Sequence, residues 1–258
     1  MTNQSEVQRI VDESGNSFHC RVTNHLAEKG WSTLISPYYM DAAANKPREV
    51  DLIAEKHWIY KDRSEGKYGA VVIRFFIECK YIPQPNVFWF APRDTSAATE
   101  WLISNTPLRK DNMFTERHHY LSASTNVAKL FASKNLPNTE NEPIYRALNQ
   151  ALNSMVYLRG HESLDEDIRI GRLPILSEME MPVIVCNSFD QFYGIDMNSI
   201  GPPARIDESF QLEVNYAYVD RAARQRSEYF LLDVVNFNRI DEYLEMIEND
   251  VSAIFHIL

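Results

Sequence analysis

The stretch AVVIRFFIECKY, residues 70–81, decides how this chain folds. It is rich in β-branched and aromatic side chains and ends in charge, the pattern of a buried strand. Working outward, KDRSEGKYG reads as the turn before it, and Glu49 to Tyr60 as a preceding strand that carries Asp51. Trp31 to Tyr39 reads as another strand, with AAANKP as a turn. Before these, Val7, Ile10, Val11, Ser14, Phe18, Val22 and Leu26 recur every three to four residues, as on one helix face. Gly15 leaves open whether this is one helix or two, and Gly30 suits its C-terminal end.

Beyond Pro83 and Pro85 the spacing predicts a short strand over Val87 to Phe90 and a helix over Ser96 to Ser104. Residues 105–142 read as an insertion with a helix near Ser124 to Ser133. Glu142 to Arg159 is a helix with apolar positions at Ile144, Leu148, Ala151, Leu152, Met155 and Val156. A charged loop spans 160–180, and Met181 to Cys186 is a short buried strand. Phe189 to Ser209 reads as a long loop, so 190–226 is the second insertion or loop region. Phe210 to Val219 and Tyr229 to Val235 are strands, and Asn238 is placed to cap a final helix reaching Ile257. This order implies a single α/β domain over residues 1–258, a mixed sheet flanked by helices.

With 258 residues and 45% hydrophobic composition, the chain buries a full core without disulfides or structural metal. No apolar run approaches the roughly 18 residues of a membrane span. The polar N-terminus is no signal peptide, and Cys20, Cys79 and Cys186 are scattered, so the reading is a reduced, cytoplasmic protein. The net charge is −10, unevenly spread. Residues 1–135 hold 17 Lys+Arg against 15 Asp+Glu; residues 136–258 hold 9 against 21. Asp241, Glu242, Glu245, Glu248 and Asp250 read as uncompensated acids of the last helix. The global sum therefore says little about what the first half can bind.

The chemistry gathers at Glu78-Cys79-Lys80 and Asp51. Side chains alternate along a strand, so Glu78 and Lys80 share a face, and pairing of the two strands brings Asp51 alongside. Two close carboxylates repel, and a hard divalent cation relieves that. Asp51, Glu78 and the main-chain carbonyl of Cys79 form an oxygen set for Mg²⁺ or Mn²⁺, and Lys80 can offset charge on a phosphoryl transition state. The competing reading is a salt bridge of Lys80 with Asp51 or Glu78 at the sheet rim. Lys46 and Arg48 flank the Asp51 strand and suit contacts to a phosphate backbone.

The succession of a helix, Gly30-Trp31, a strand, Arg48-Glu49-Val50-Asp51-Leu52-Ile53 and Phe76-Ile77-Glu78-Cys79-Lys80 resembles the restriction-endonuclease-like PD-(D/E)XK nucleases, nearest the Mrr-type branch. The motif resemblance covers residues 14–82; over 142–189 and 229–257 it rests on element order. It implies a restriction-endonuclease-like fold with an insertion after the third strand. It also implies a Mg²⁺-dependent endonuclease cutting double-stranded DNA in prokaryotic or phage defence, often as a homodimer. Asp51 and Glu78 would be metal ligands and Lys80 the catalytic lysine. Val50 replaces the motif's proline. His19 stands where relatives carry a helix glutamate, so His19 or Glu13 takes that role or the ligand is missing, and Gln150 matches a glutamine that reaches the site in some relatives.

Elsewhere, His118-His119 reads as part of a solvated loop, Phe88, Trp89, Phe90 and Trp101 as core before base-stacking platform, and Asp233 as structural. Arg221, Arg224 and Arg226 read as paired with nearby acids before phosphates. No phosphate-binding glycine loop, Ser-His-Asp motif, HExxH or CxxC pair is present. The other function class open to this sequence is a catalytically inactive nuclease-fold module whose acidic half faces a protein partner.

Overall fold

Antiparallel pairing between the strand following Asp51 and the strand ending in Glu78 and Lys80 starts the sheet around which the molecule is built. A computed structural model describes residues 4–13, 15–42, 45–62, 64–110, 112–133, 142–199, 201–220, 222 and 224–258. Strand β1 (Ser32–Ile35) lies at one edge, followed in space by β4 (Leu52–Asp62) and β5 (Lys67–Lys80). β2 (Tyr38–Asp41) and β3 (Lys46–Glu49) form a separate antiparallel ribbon. β8 (Ile175–Cys186) and β12 (Gln225–Asn236) continue the sheet in parallel with β5. β11 (Phe210–Val219), β7 (Asn126–Ser133), β6 (Asn86–Pro92), β9 (Phe192–Asp196) and β10 (Ala204–Arg205) complete a ten-stranded mixed sheet.

The expected mixed α/β sheet with flanking helices is present, but it is larger than the sequence reading allowed. Residues 126–133, expected to be helical, form β7 in the main sheet. The region read as a loop or insertion over 190–226 carries β9, β10 and β11, and the segment after β5 supplies β6 and β7 to the same sheet. Both stretches therefore build the half of the sheet beyond β12.

Two helices precede β1, α1 (Gln4–Glu13) and α2 (Asn16–Glu28). Gly15 separates them at φ 72°, a left-handed backbone that glycine adopts without a Cβ penalty. α3 (Thr95–Asn105) and the one-turn α4 (His119–Ser122) lie between β6 and β7. α5 (Pro143–Leu158) and the short α6 (Glu166–Arg169) lead into β8. Glu142 caps α5 by accepting the Tyr145 amide. The last helix, α7 (Ile240–Phe255), follows a 3-10 turn that is capped by Asn236, not Asn238.

Alternation along β5 sets the layers. Phe75 stacks on Trp31 at 4.4 Å and meets Tyr243 of α7 at 5.7 Å, so this face carries the α2–α7 layer. α5 packs across β5 and β8 and reaches the β2–β3 ribbon. Phe88 is fully buried and Trp101 nearly so, as expected of core aromatics, while Trp89 and Phe90 are half-buried. Among the described residues no helix is long and apolar enough to cross a membrane.

Candidate active site

The register pairs Leu52 with Ile77, which leaves Asp51 and Glu78 as the next facing pair at the end of the ribbon of strands. The Asp51 amide donates to Glu78 Oε1 at 3.3 Å, and the Cys79 amide donates to Asp51 Oδ2 at 2.8 Å. Lys80 Nζ sits 2.7 Å from Glu78 Oε2 and 3.5 Å from Asp51 Oδ2. The sequence-predicted trio therefore meets in one patch, with its ion pairs already made.

Its electrostatics are lopsided. The Glu78 side chain has no solvent exposure, against 28% for Asp51 and 19% for Lys80. Burial pushes the Glu78 carboxyl up to about 8, against the pull of Lys80 and with a further push from Asp51. Burial also disfavours charge on Lys80, but Glu78 and Asp51 outweigh it and hold the ammonium above its ordinary range. Without a further cation the patch thus favours a protonated Glu78 beside a charged Lys80 at neutral pH. Two facing carboxylates, one of them fully buried, are an oxygen donor set that fits a hard divalent cation. Cys79 contributes its amide to Asp51 in the present arrangement.

The accessory residues are placed as follows. Gln150 of α5 borders a cavity of about 370 Å³ together with Tyr39 of β2 and Arg48 of β3. Tyr39 is buried and close enough to Glu78 to feel its charge. His19 is half-buried on α2 and its Nε2 has no hydrogen-bond partner among the described residues. It lies near Glu49, whose carboxyl is held down by hydrogen bonds from Ser36 and Tyr38 and by the His19 ring. Neither Asp51 nor Glu78 has His19 among its hydrogen-bond or ion-pair partners. Glu13 closes α1, and its side chain lies outside the described set. Lys46 is exposed on β3, and Arg48 Nε lies 3.4 Å from Asp41.

A second polar cluster was not anticipated. His118 and His119, expected in solvent, are both buried. His119 lies between two carboxylates, with Nδ1 bonded to Asp250 and Nε2 at 3.1 Å from Asp233. Tyr243 also donates to Asp233, at 3.0 Å. Burial opposes charge on His119, but Asp250 and Asp233 outweigh it and push its pKa up to about 10. His118 is pushed down to about 4 by burial, stays neutral, and lies 3.3 Å from Met179 Sδ. His118, His119 and Asp250 bring ligand-type atoms within 4.8 Å of one another. Both His119 nitrogens are engaged by carboxylates, so the cluster stands as a hydrogen-bonded network tying α4, β12 and α7 together. Asp233, read as structural, belongs to it. Adjacent histidines give no spacing signal, and their partners lie 114 and 131 positions away.

Arg224 and Arg226 both bind Asp220 at 3.0 Å, the internal pairing expected of them; Arg221 lies outside the described residues. The acids of α7 are not uncompensated. Asp241 pairs with His25 and Lys29, Glu242 with Arg239, Glu248 with Lys56, and Asp250 with His119. Of the five, Glu245 alone has no ion pair or hydrogen bond of its side chain among the described residues.

No protein-family model matches the chain, and neither a curated protein nor a solved structure is significantly similar to it.

Proposed function

We propose that this protein is a divalent-cation-dependent phosphodiester hydrolase acting on DNA. The observation that carries the reading is the Asp51–Glu78–Lys80 patch: two carboxylates and an ammonium at paired strand ends, with Glu78 buried and its ionisation suppressed. Perturbed ionisation of this kind clusters at functional sites. Asp51 and Glu78 are the residues to hold Mg²⁺ or Mn²⁺. The bound cation would supply Lewis acidity toward a phosphoryl oxygen and acidify a water. Lys80 keeps its proton throughout and offsets the extra charge that builds on the phosphoryl group in the transition state. The Asp51 amide steadies Glu78, and the Cys79 amide steadies Asp51, so both carboxylates are oriented before substrate arrives.

A second reading is a non-catalytic module that keeps the nuclease-like arrangement. It is favoured by Lys80, which already lies within hydrogen-bond or ion-pair distance of both carboxyl groups. It is weakened by the acids of α7, which are spent on internal partners and offer a protein partner little free charge.

The deciding experiment is a thermal-shift titration with Mn²⁺ and Mg²⁺ on wild type and Asp51→Ala, followed by incubation with plasmid and linear DNA. The hydrolase reading expects dose-dependent stabilisation that the mutant loses, together with DNA cleavage that it also loses. An unmoved wild type that leaves DNA intact returns the patch to a rim salt bridge.

A further inference from the structure

We infer that the cavity between α5 and the β2–β3 ribbon is a built site for a phosphoryl oxyanion, with Arg146 and Arg48 as its charged jaws. The polar line on α5 is where the argument starts. Ile144, Ala147, Leu148, Ala151, Leu152 and Met155 bury the apolar side of this helix. Arg146, Asn149, Gln150 and Asn153 recur at three- and four-residue spacing, so they form one continuous line on its surface. That line borders the cavity of about 370 Å³, and Arg48 and Tyr39 close it from the ribbon.

The hydrogen-bond inventory of the lining is unbalanced toward donors. The Arg146 guanidinium makes no hydrogen bond or ion pair among the described residues, and neither does the Gln150 amide group. Arg48 directs Nε to Asp41, which leaves its terminal nitrogens as donors. Asn153 accepts the Tyr216 hydroxyl on Oδ1 at 2.9 Å and keeps its own amide N–H groups to give. Among the described residues no carboxylate lines the space, in a chain whose net charge is −10. Two guanidinium groups and two side-chain amides complement a phosphoryl anion, and forked arginine donors match phosphoryl oxygens in pairs. The space corresponds to about a dozen waters, room for a phosphoryl group with part of its ester. Tyr39 borders the cavity and is close enough to Glu78 to feel its charge, so one wall of the cavity faces the surroundings of the Asp51–Glu78–Lys80 patch. That a phosphate seated there belongs to a DNA backbone rests on the hydrolase reading; that the pocket takes phosphate does not. The same chemistry would come from a free nucleotide.

The test uses the intact chain in EDTA, so that no cation at Asp51 and Glu78 contributes. Inorganic phosphate and dAMP are titrated by calorimetry, and a fluorescent oligothymidylate by anisotropy, on wild type, Arg146→Ala, Arg146→Lys and Gln150→Ala. Arg146 is exposed, and circular dichroism verifies that each variant is folded. The expected result is saturable phosphate binding weakened about tenfold or more by Arg146→Ala, the size of a lost charge-assisted hydrogen bond, and partly restored by Arg146→Lys. Displacement of the oligothymidylate by inorganic phosphate identifies a backbone phosphate as the occupant. Binding of phosphate and dAMP without such competition identifies a free nucleotide. Absence of binding of all three probes, or a folded Arg146→Ala that binds as wild type does, overturns the inference. Mn²⁺-dependent cleavage of DNA, run in parallel, separates the two proposals. Cleavage without phosphate binding in EDTA removes the pocket and leaves the hydrolase; phosphate binding without cleavage does the reverse.

Discussion

Glu78 and His119 are two buried groups whose charge states are displaced in opposite senses, and each gives the protein its own pH signature. The folded-state pKa of Glu78 is about 8, above the ordinary carboxylate value of 4.5 that applies when the chain is unfolded. Between those values the native state holds the extra proton, so the group favours folding below 4.5 and that contribution is lost as pH rises through 8. Glu78→Gln has no proton to lose and keeps an acceptor for Lys80. In EDTA it should match wild type near pH 5 and exceed it by about 4 kcal/mol above pH 8 in urea unfolding. A variant less stable at both pH values would mean that the Lys80 pair is there for stability. His119 is raised to about 10 by Asp250 and Asp233 against the effect of burial. Its contribution is complete below the unfolded value of 6.5 and disappears as pH climbs through 10. Wild-type stability should therefore fall between about pH 6.5 and 10, and Asp250→Asn, which leaves the imidazolium short of a partner, should cost about 3–5 kcal/mol at pH 7. The same denaturation series measures both.

At the scale of elements, a row of charge crosses three strands. Glu55 of β4, Arg74 of β5 and Glu180 of β8 occupy facing register positions, with Arg74 at 2.7 Å from Glu55 and 2.9 Å from Glu180. Glu178 adds a third carboxylate at 3.0 Å, and Ser163 and the Leu164 amide tie the loop before α6 to Glu55. Arg74→Met strands Glu55 without its counter-charge in the core, and a loss of about 3–5 kcal/mol in unfolding free energy is expected; a loss below 1 kcal/mol would show the row to be dispensable. Nearby, a Cβ on Gly69 would come 2.6 Å from the Pro174 carbonyl and from Leu176, where β5 first meets β8. Gly69→Ala must push the strands apart there, which should lower stability by about 1–3 kcal/mol. β5 was legible because VVIRFFI admits little but a buried strand, and the facing of Asp51 and Glu78 followed from alternation. β7 was not: NVAKLFAS mixes helix-favouring Ala, Lys and Leu, and only its neighbours β6 and β11 make it a strand. The polar line on α5 was half legible. Gln150 falls off the apolar stripe in the sequence, but nothing there shows that Arg48 stands opposite. The His119 network was illegible, since its ion pairs span more than a hundred residues.

Across the whole molecule, the uneven charge of the two halves becomes an internal fit. His25, Lys29 and Lys56 from the first half receive Asp241 and Glu248 from α7, so the acidic end of the chain is spent on closing the α2–α7 layer. These pairs are exposed in part and screened, so high salt should loosen α7 without unfolding the sheet. The sheet has another consequence, written in time. β5 finds β4 within a few residues but must wait about a hundred residues for β8, and longer for β12 to cover the far edge of β8. At a synthesis rate of about 5–20 residues per second, its most apolar edge stands open on the ribosome for roughly 5–20 seconds. A nascent chain of this kind depends on whatever shields that edge until residue 186 has emerged.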